Sequence, residues 1–289
     1  FQKELGLRVH HSNLCSEITL ATNNERTAVC CLSSVNLEEY DEWKDNADFI
    51  PDLIRMLDNV ITYFCDTAPP ELWKAVNSAK SERSLGLGAM GFHAYLQRHN
   101  VPFESAMAKG RNIKMFKHIK GEALNATRQL AKERGPCPDG SSAGVRNAHL
   151  LAVAPNASSS IICGNTSPSI EPYRANAFTQ KTKSGSSLLK NEYLEHALQE
   201  INQDTDDVWK SIITNGGSVQ HLDFLDEWTK EIFKTAVEID QRWVIEMAAD
   251  RQEDICQSQS LNIFFPSNVS KQELHAIHMM AWKKKVKTL

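Results

Sequence analysis

Within Ser12-Asn13-Leu14-Cys15-Ser16-Glu17 an amide, a thiol and a carboxylate stand two residues apart. On an extended backbone alternate side chains share a face, so Asn13, Cys15 and Glu17 would converge on one small volume. The chemistry on offer is specific. A thiol supplies a nucleophile or carries a hydrogen atom, a carboxylate takes a proton, and an amide hydrogen-bonds without titrating. A half-buried strand with a polar face and a packing cysteine would show the same residues, so the triplet needs support from elsewhere. His10 and His11 lie just upstream. Cysteine acyl transfer with either histidine is the weaker reading, because adjacent histidines on a polar segment usually face solvent and no oxyanion arrangement is evident.

Support comes from two further stretches. Residues 150–164 run from an apolar segment through Pro155-Asn156-Ala157-Ser158-Ser159-Ser160. Serines that cap a helix start, with the free N–H groups of its first turn, make an anion site for which phosphate is the natural ligand. An ordinary serine-capped turn would read the same way. In residues 28–37, Cys30 and Cys31 are neighbours on a strand-like run and point to opposite faces, so they are poorly placed to pair with each other. Either one of them faces a site or both pack. The glycines of Leu85-Gly86-Leu87-Gly88-Ala89-Met90-Gly91 are a weak nucleotide-loop signal because no clear strand precedes them. Close backbone packing explains them better.

The elements that must position these groups follow from periodicity. Apolar residues at Leu53, Ile54, Leu57, Ile61 and Phe64 predict a helix over 52–66, and another starts at Pro70. Residues 92–98 continue helically after the glycines, 106–134 form a long helix stopped by Gly135-Pro136, and 222–250 read as one more. Short apolar runs at 29–35, 150–154 and 260–264 predict buried strands, while the polar residues 180–187 predict a loop. Helices alternating with short apolar strands favour an α/β fold with parallel pairing.

Composition narrows the class. With 289 residues and 41% hydrophobic content the chain can bury a sizeable core, and a formal charge of −4 without an acidic or basic half gives no argument for a nucleic-acid or membrane partner. No apolar run reaches the roughly 18 residues of a membrane span, and no signal segment opens the chain, so a cytoplasmic location is expected. Seven scattered cysteines without a Cys-x-x-Cys pair read as reduced thiols, with Cys65 and Cys256 packing and Cys137 in a loop.

In chain order, Ser12-Asn13-Leu14-Cys15-x-Glu17, Cys30-x-Leu32-Ser33-x-x-Asn36-Leu37, Leu85-Gly86-x-Gly88, Pro155-Asn156-Ala157-Ser158-Ser159, Ser169-Ile170-Glu171-Pro172-Tyr173 and Val286-Lys287-Thr288-Leu289 resemble the large subunit of class I ribonucleotide reductase. The resemblance spans nearly the whole chain. It implies an α/β fold that is the second half of a ten-stranded barrel, about five parallel strands with surrounding helices. Residues 1–20 would be the central finger loop with the strand after it, and 21–289 the second half-barrel, together a single region. It further implies a fragment or one piece of a split enzyme, lacking an amino-terminal half and a cysteine-bearing tail.

The resemblance also implies roles. Cys15 matches the radical-bearing cysteine, Glu17 the proton acceptor, Asn13 the amide that holds the sugar, and Cys30 one of two reductant thiols. Ser12, Asn156, Ala157, Ser158 and Ser159 match substrate-binding positions. Cys31 departs from the family pattern. The implied substrate is a ribonucleoside diphosphate. The implied partners are a small subunit carrying a radical metallocofactor, the complementary amino-terminal half, further copies in a homo-oligomer, and an external thioredoxin- or glutaredoxin-type reductant; this chain itself would bind no cofactor. The alternative is a catalytically silent remnant acting as an assembly or nucleotide-binding module.

Overall fold

The computed structural model describes residues 2–183 and 185–289. Four extended segments lie side by side and parallel. β1 (Cys31–Asn36) pairs with β2 (Leu85–Met90), Cys31 against Leu85 and Asn36 against Met90. Beyond β2, Leu87 bridges to Leu151, and Val153 bridges in turn to Gln259. Every residue of β2 is buried, as expected of a central parallel strand covered on both faces.

Helices make the returns. Between β1 and β2 come α1 (Tyr40–Trp43), α2 (Phe49–Thr67) and α3 (Trp73–Glu82). From β2 the chain runs through α4 (Phe92–Arg98) and α5 (Ala106–Arg134) to residues 150–153. A longer excursion follows, with α6 (Ser159–Ile162), the hairpin β3 (Ala177–Thr182) and β4 (Gly185–Lys190), α7 (Glu192–Glu200), α8 (Asp206–Thr214), α9 (Glu227–Ile232) and α10 (Gln241–Gln252). The last helix is α11 (Lys271–Lys283).

The main core joins Leu85 and Leu87 of β2 to Ile54, Leu57 and Ile61 of α2, Phe116 and Ile119 of α5, and Val244 and Ile245 of α10. A smaller core gathers Leu194 and Leu198 of α7, Trp209 and Ile212 of α8, and Ile232 and Phe233. Local signals set the longest helix: Ser105 caps α5 by accepting the Ala108 N–H, and Gly135, at φ +82°, ends it.

The α/β expectation holds, with three corrections. Among the described residues only β1 and β2 pair as regular parallel strands; further along, side chains take part of the bonding. Cys256 Sγ accepts the N–H groups of Leu150 and Leu151, both at 3.2 Å, and the Gln257 side chain donates to Leu85 O. The helix expected over 222–250 is broken into α9 and α10. Asp226 and Asp240 cap the two pieces, while Ala236 N–H donates to Tyr173 O and Asp240 N–H to Glu104, so tertiary acceptors take bonds that a continuous helix would use. Residues 180–187, expected as a loop, belong mostly to the β3–β4 hairpin, with Ala177 opposite Lys190; Ser184 lies outside the described residues.

The glycines of β2 do serve close packing. A Cβ at Gly88 would come within 2.5 Å of Ala152 O, and one at Gly86 within 2.4 Å of a Leu32 methyl.

Candidate active site

The loop before the sheet closes on itself through Asn13. Its side-chain oxygen accepts the Ile18 N–H at 3.1 Å, and its carbonyl accepts the Ser16 N–H at 3.1 Å and the Ser12 hydroxyl at 3.2 Å. Ser16 takes a left-handed conformation, φ +64°. That turn replaces the period-two alternation of an extended run, so Leu14 and Cys15 are exposed whereas Glu17 is buried. Ser258 N–H pins the Glu17 carbonyl at 2.9 Å. The Glu17 Oε2 atom is buried without a hydrogen-bond partner among the described residues. Such an acceptor is suited to a hydroxyl or proton brought by a ligand.

Cys30 lies at the foot of β1, on the wall of a cleft of about 380 Å³ that Ser12, Asn13, Ile18, Leu20 and Leu32 also line. Burial pushes its thiol up to about 12, with a hydrogen bond from Gln257 Nε2 at 3.2 Å working the other way. Cys31 packs against the main core, where burial also raises its thiol. Of the two neighbouring cysteines, one therefore faces a cleft and the other packs.

The third group of residues sits at the other end of β1. Asn156 adopts φ +52° and its Oδ1 accepts the Ser34 hydroxyl at 3.2 Å. Ala157, Ser158 and Ser159 follow, all exposed, and lead into the single turn of α6. Ser158 occupies the N-cap position but makes no side-chain cap bond, so the serines do not cap this helix as their sequence suggests. The Ser158 and Ser159 hydroxyls remain available to a ligand, whereas the Ser160 N–H donates to Asn156 O at 3.0 Å and the Ile162 N–H to Ser158 O at 3.2 Å. This turn lines a cavity of about 560 Å³ together with Leu32, Ser33 and Ser34. Leu32 thus walls both cavities.

The structure brings Ser12, Asn13 and Cys30 into one cleft and Asn156 to Ser159 into the adjoining one, while Cys15 and Glu17 stand on the same loop outside either wall. A larger cleft of about 790 Å³, between α10, α11 and residues 264–266, holds none of these residues. Among the described residues no three His, Cys, Asp or Glu side chains gather as a metal site, and no helix is long and apolar enough to cross a membrane.

Two contributors carry no local signal that singles them out. Ser34, one of two adjacent serines, orients Asn156; Gln257, one of two glutamines in Gln257-Ser258-Gln259, touches the Cys30 sulfur.

Residues 2–141 and 139–289 match the family described as the ribonucleotide reductase barrel domain. The chain belongs to that family. A ribonucleotide reductase alpha subunit of class Id from Actinobacillus ureae superposes with a TM-score of 0.93 at 39% identity, covering 100% of this chain and 55% of that one. The putative ribonucleoside-diphosphate reductase large subunit of Frog virus 3 is 51% identical over 99% of the chain, and the large subunit of Invertebrate iridescent virus 6 is 53% identical over 95%. The barrel-family chain spans 51% and 29% of the lengths of these two relatives.

Proposed function

We propose that this chain is the catalytic part of a ribonucleoside-diphosphate reductase large subunit. In this reading residues 1–20 form the finger loop and the strand after it, and 21–289 the second half of a ten-stranded α/β barrel. The observation that carries it is the cleft shared by Ser12, Asn13 and Cys30, which abuts at Leu32 the cavity of the Asn156 to Ser159 turn. An amide and a thiol beside an amide-rich turn suit a sugar attached to a diphosphate.

A small partner subunit with a metal cofactor would supply the radical. Cys15, as a thiyl, takes the 3′ hydrogen atom of the ribonucleotide. Glu17 receives the 3′ hydroxyl proton at its partnerless oxygen, while Asn13 and Ser12 hold the sugar. The 2′ hydroxyl leaves as water with a proton from the reductant thiol pair, and after reduction Cys15 returns the hydrogen atom to C3′, regenerating its thiyl. Cys30 and a thiol from the complementary part of the large subunit give two electrons and close as a disulfide, which a thioredoxin- or glutaredoxin-type dithiol reopens. Asn156, Ala157, Ser158 and Ser159 hold the diphosphate. β1 pairs only with β2 among the described residues, and its open edge suits docking of the complementary half. A homo-oligomer in the cytoplasm, where thiols stay reduced, completes the proposal.

The test is reconstitution. The chain is combined with the rest of a large subunit and with a small subunit, and deoxynucleotide formation is measured for the wild type and Cys15→Ser. Turnover with wild type and none with Cys15→Ser is expected; equal turnover overturns the proposal.

A further inference from the structure

Gln257 is completely buried, and its side chain bonds three separate segments. Oε1 accepts the Thr19 N–H at 3.3 Å, in the segment just after the Cys15 loop. Nε2 donates to Leu85 O of β2 at 2.9 Å and to Cys30 Sγ at 3.2 Å. The backbone of the residue is held as well: its N–H donates to Leu151 O at 3.1 Å, and its carbonyl accepts from Gln252 Nε2 and Lys287 Nζ.

The orientation of the amide is dictated by these partners. Turning it over would set Oε1 against the Leu85 carbonyl, two acceptors, and Nε2 against the Thr19 N–H, two donors. The N–H group is therefore committed to the carbonyl and the sulfur. A donor aimed at sulfur favours the thiolate, the form in which thiols react, whereas the burial of Cys30 opposes it.

We propose that Gln257 is a positioning residue for the Cys30 thiol, fixing the sulfur on the wall that Asn13 shares and tying it through Thr19 to the loop of Cys15 and Glu17. This rests on the reading of Cys30 as a reductant thiol. No local pattern marks Gln257, which stands 227 residues from Cys30.

The test reads the sulfur directly. The whole chain is labelled with iodoacetamide at about pH 8.5, and the rate at each cysteine is followed by peptide mass spectrometry. Gln257→Met keeps the length of the side chain and removes its donors. Cys30 labelling is expected to slow by about fivefold or more, with exposed Cys163 unchanged and buried Cys137 still protected. A merely structural role predicts the opposite sign, since loosened packing exposes the sulfur and speeds labelling. An unchanged or faster Cys30 rate overturns the proposal. Should Cys137 become reactive in Gln257→Met, Gln257→Glu decides: it keeps the acceptor for Thr19 but sets an anionic oxygen beside the sulfur, so slower labelling is again expected and an unchanged rate overturns the proposal. Failure of the wider enzymatic reading registers separately, as full turnover of Cys15→Ser in the reconstituted enzyme.

Discussion

The Ser34 hydroxyl donates to Asn156 Oδ1 at 3.2 Å, joining the middle of β1 to the turn that precedes α6. Asn156 is in the left-handed region at φ +52°, which asparagine adopts more readily than other non-glycine residues, and the Ser34 bond fixes the direction of its side chain. Ser34→Ala should therefore loosen the turn and weaken binding of a nucleoside diphosphate by about five- to tenfold, the worth of roughly one hydrogen bond. Calorimetric titration of the wild type and the variant checks this; equal affinities would remove the turn from the binding site.

Gly86 and Gly88 differ in what an added methyl would meet. At Gly88 the neighbour is the Ala152 carbonyl at 2.5 Å, part of the backbone, whereas at Gly86 it is a Leu32 methyl at 2.4 Å that can turn aside. Gly88→Ala should cost about 2–3 kcal/mol, and Gly86→Ala clearly less. Urea unfolding midpoints of the two variants give the order.

Glu82 makes stability depend on pH. It is buried, and burial pushes its carboxyl up to about 7, against the hydrogen bond from the Ser78 hydroxyl at 2.9 Å and the attraction of Arg26. The folded protein thus keeps a proton that the unfolded chain releases near 4.5. The stability due to the neutral carboxyl is complete below that lower value and is lost as pH rises through about 7. Glu82→Gln should accordingly gain on the wild type by about 2–3 kcal/mol at alkaline pH and by little under acidic conditions. Denaturant unfolding at pH values on either side of the window is the measurement, and a gap that does not widen with pH refutes the assignment.

Asp58, fully buried, carries a larger share of the fold. Its carboxylate receives Arg83 Nε at 2.7 Å, Arg134 Nη1 at 3.0 Å, Arg146 Nε at 3.4 Å and Asn147 Nδ2 at 3.0 Å. Asp58→Ala leaves the Arg83 guanidinium buried without its counter-charge, a change of about 3–5 kcal/mol toward unfolding. Loss of cooperative unfolding at ambient temperature, or a correspondingly lower urea midpoint, is the expected outcome.

Much of this organisation is legible along the chain wherever a local signal decides it. The long helix is readable at both ends because Ser105 caps it and Gly135-Pro136 stops it. The apolar spacing from Leu53 to Phe64 identifies α2 because one stripe of that helix enters the core. β2 is harder to read, since its two glycines lower strand propensity and the strand exists because β1 and residues 150–153 come close on either side. The division between α9 and α10 is invisible for a related reason: the apolar period continues through it, and Tyr173 and Glu104 compete from distant segments.

By itself the sequence determined which chemical groups are present and in what order: the Asn13, Cys15 and Glu17 set, the paired Cys30 and Cys31, and the Asn156 to Ser159 turn. Only the tertiary structure decided that Cys30 faces the cleft while Cys31 packs, that Leu32 joins two cavities, and that Ser16 turns the loop so that Cys15 is exposed and Glu17 buried. The same holds for the Gln257 amide on the Cys30 sulfur. Residue type and spacing are local properties of the chain, whereas these relations depend on which faces of distant segments bury together, and no short window of sequence contains that information.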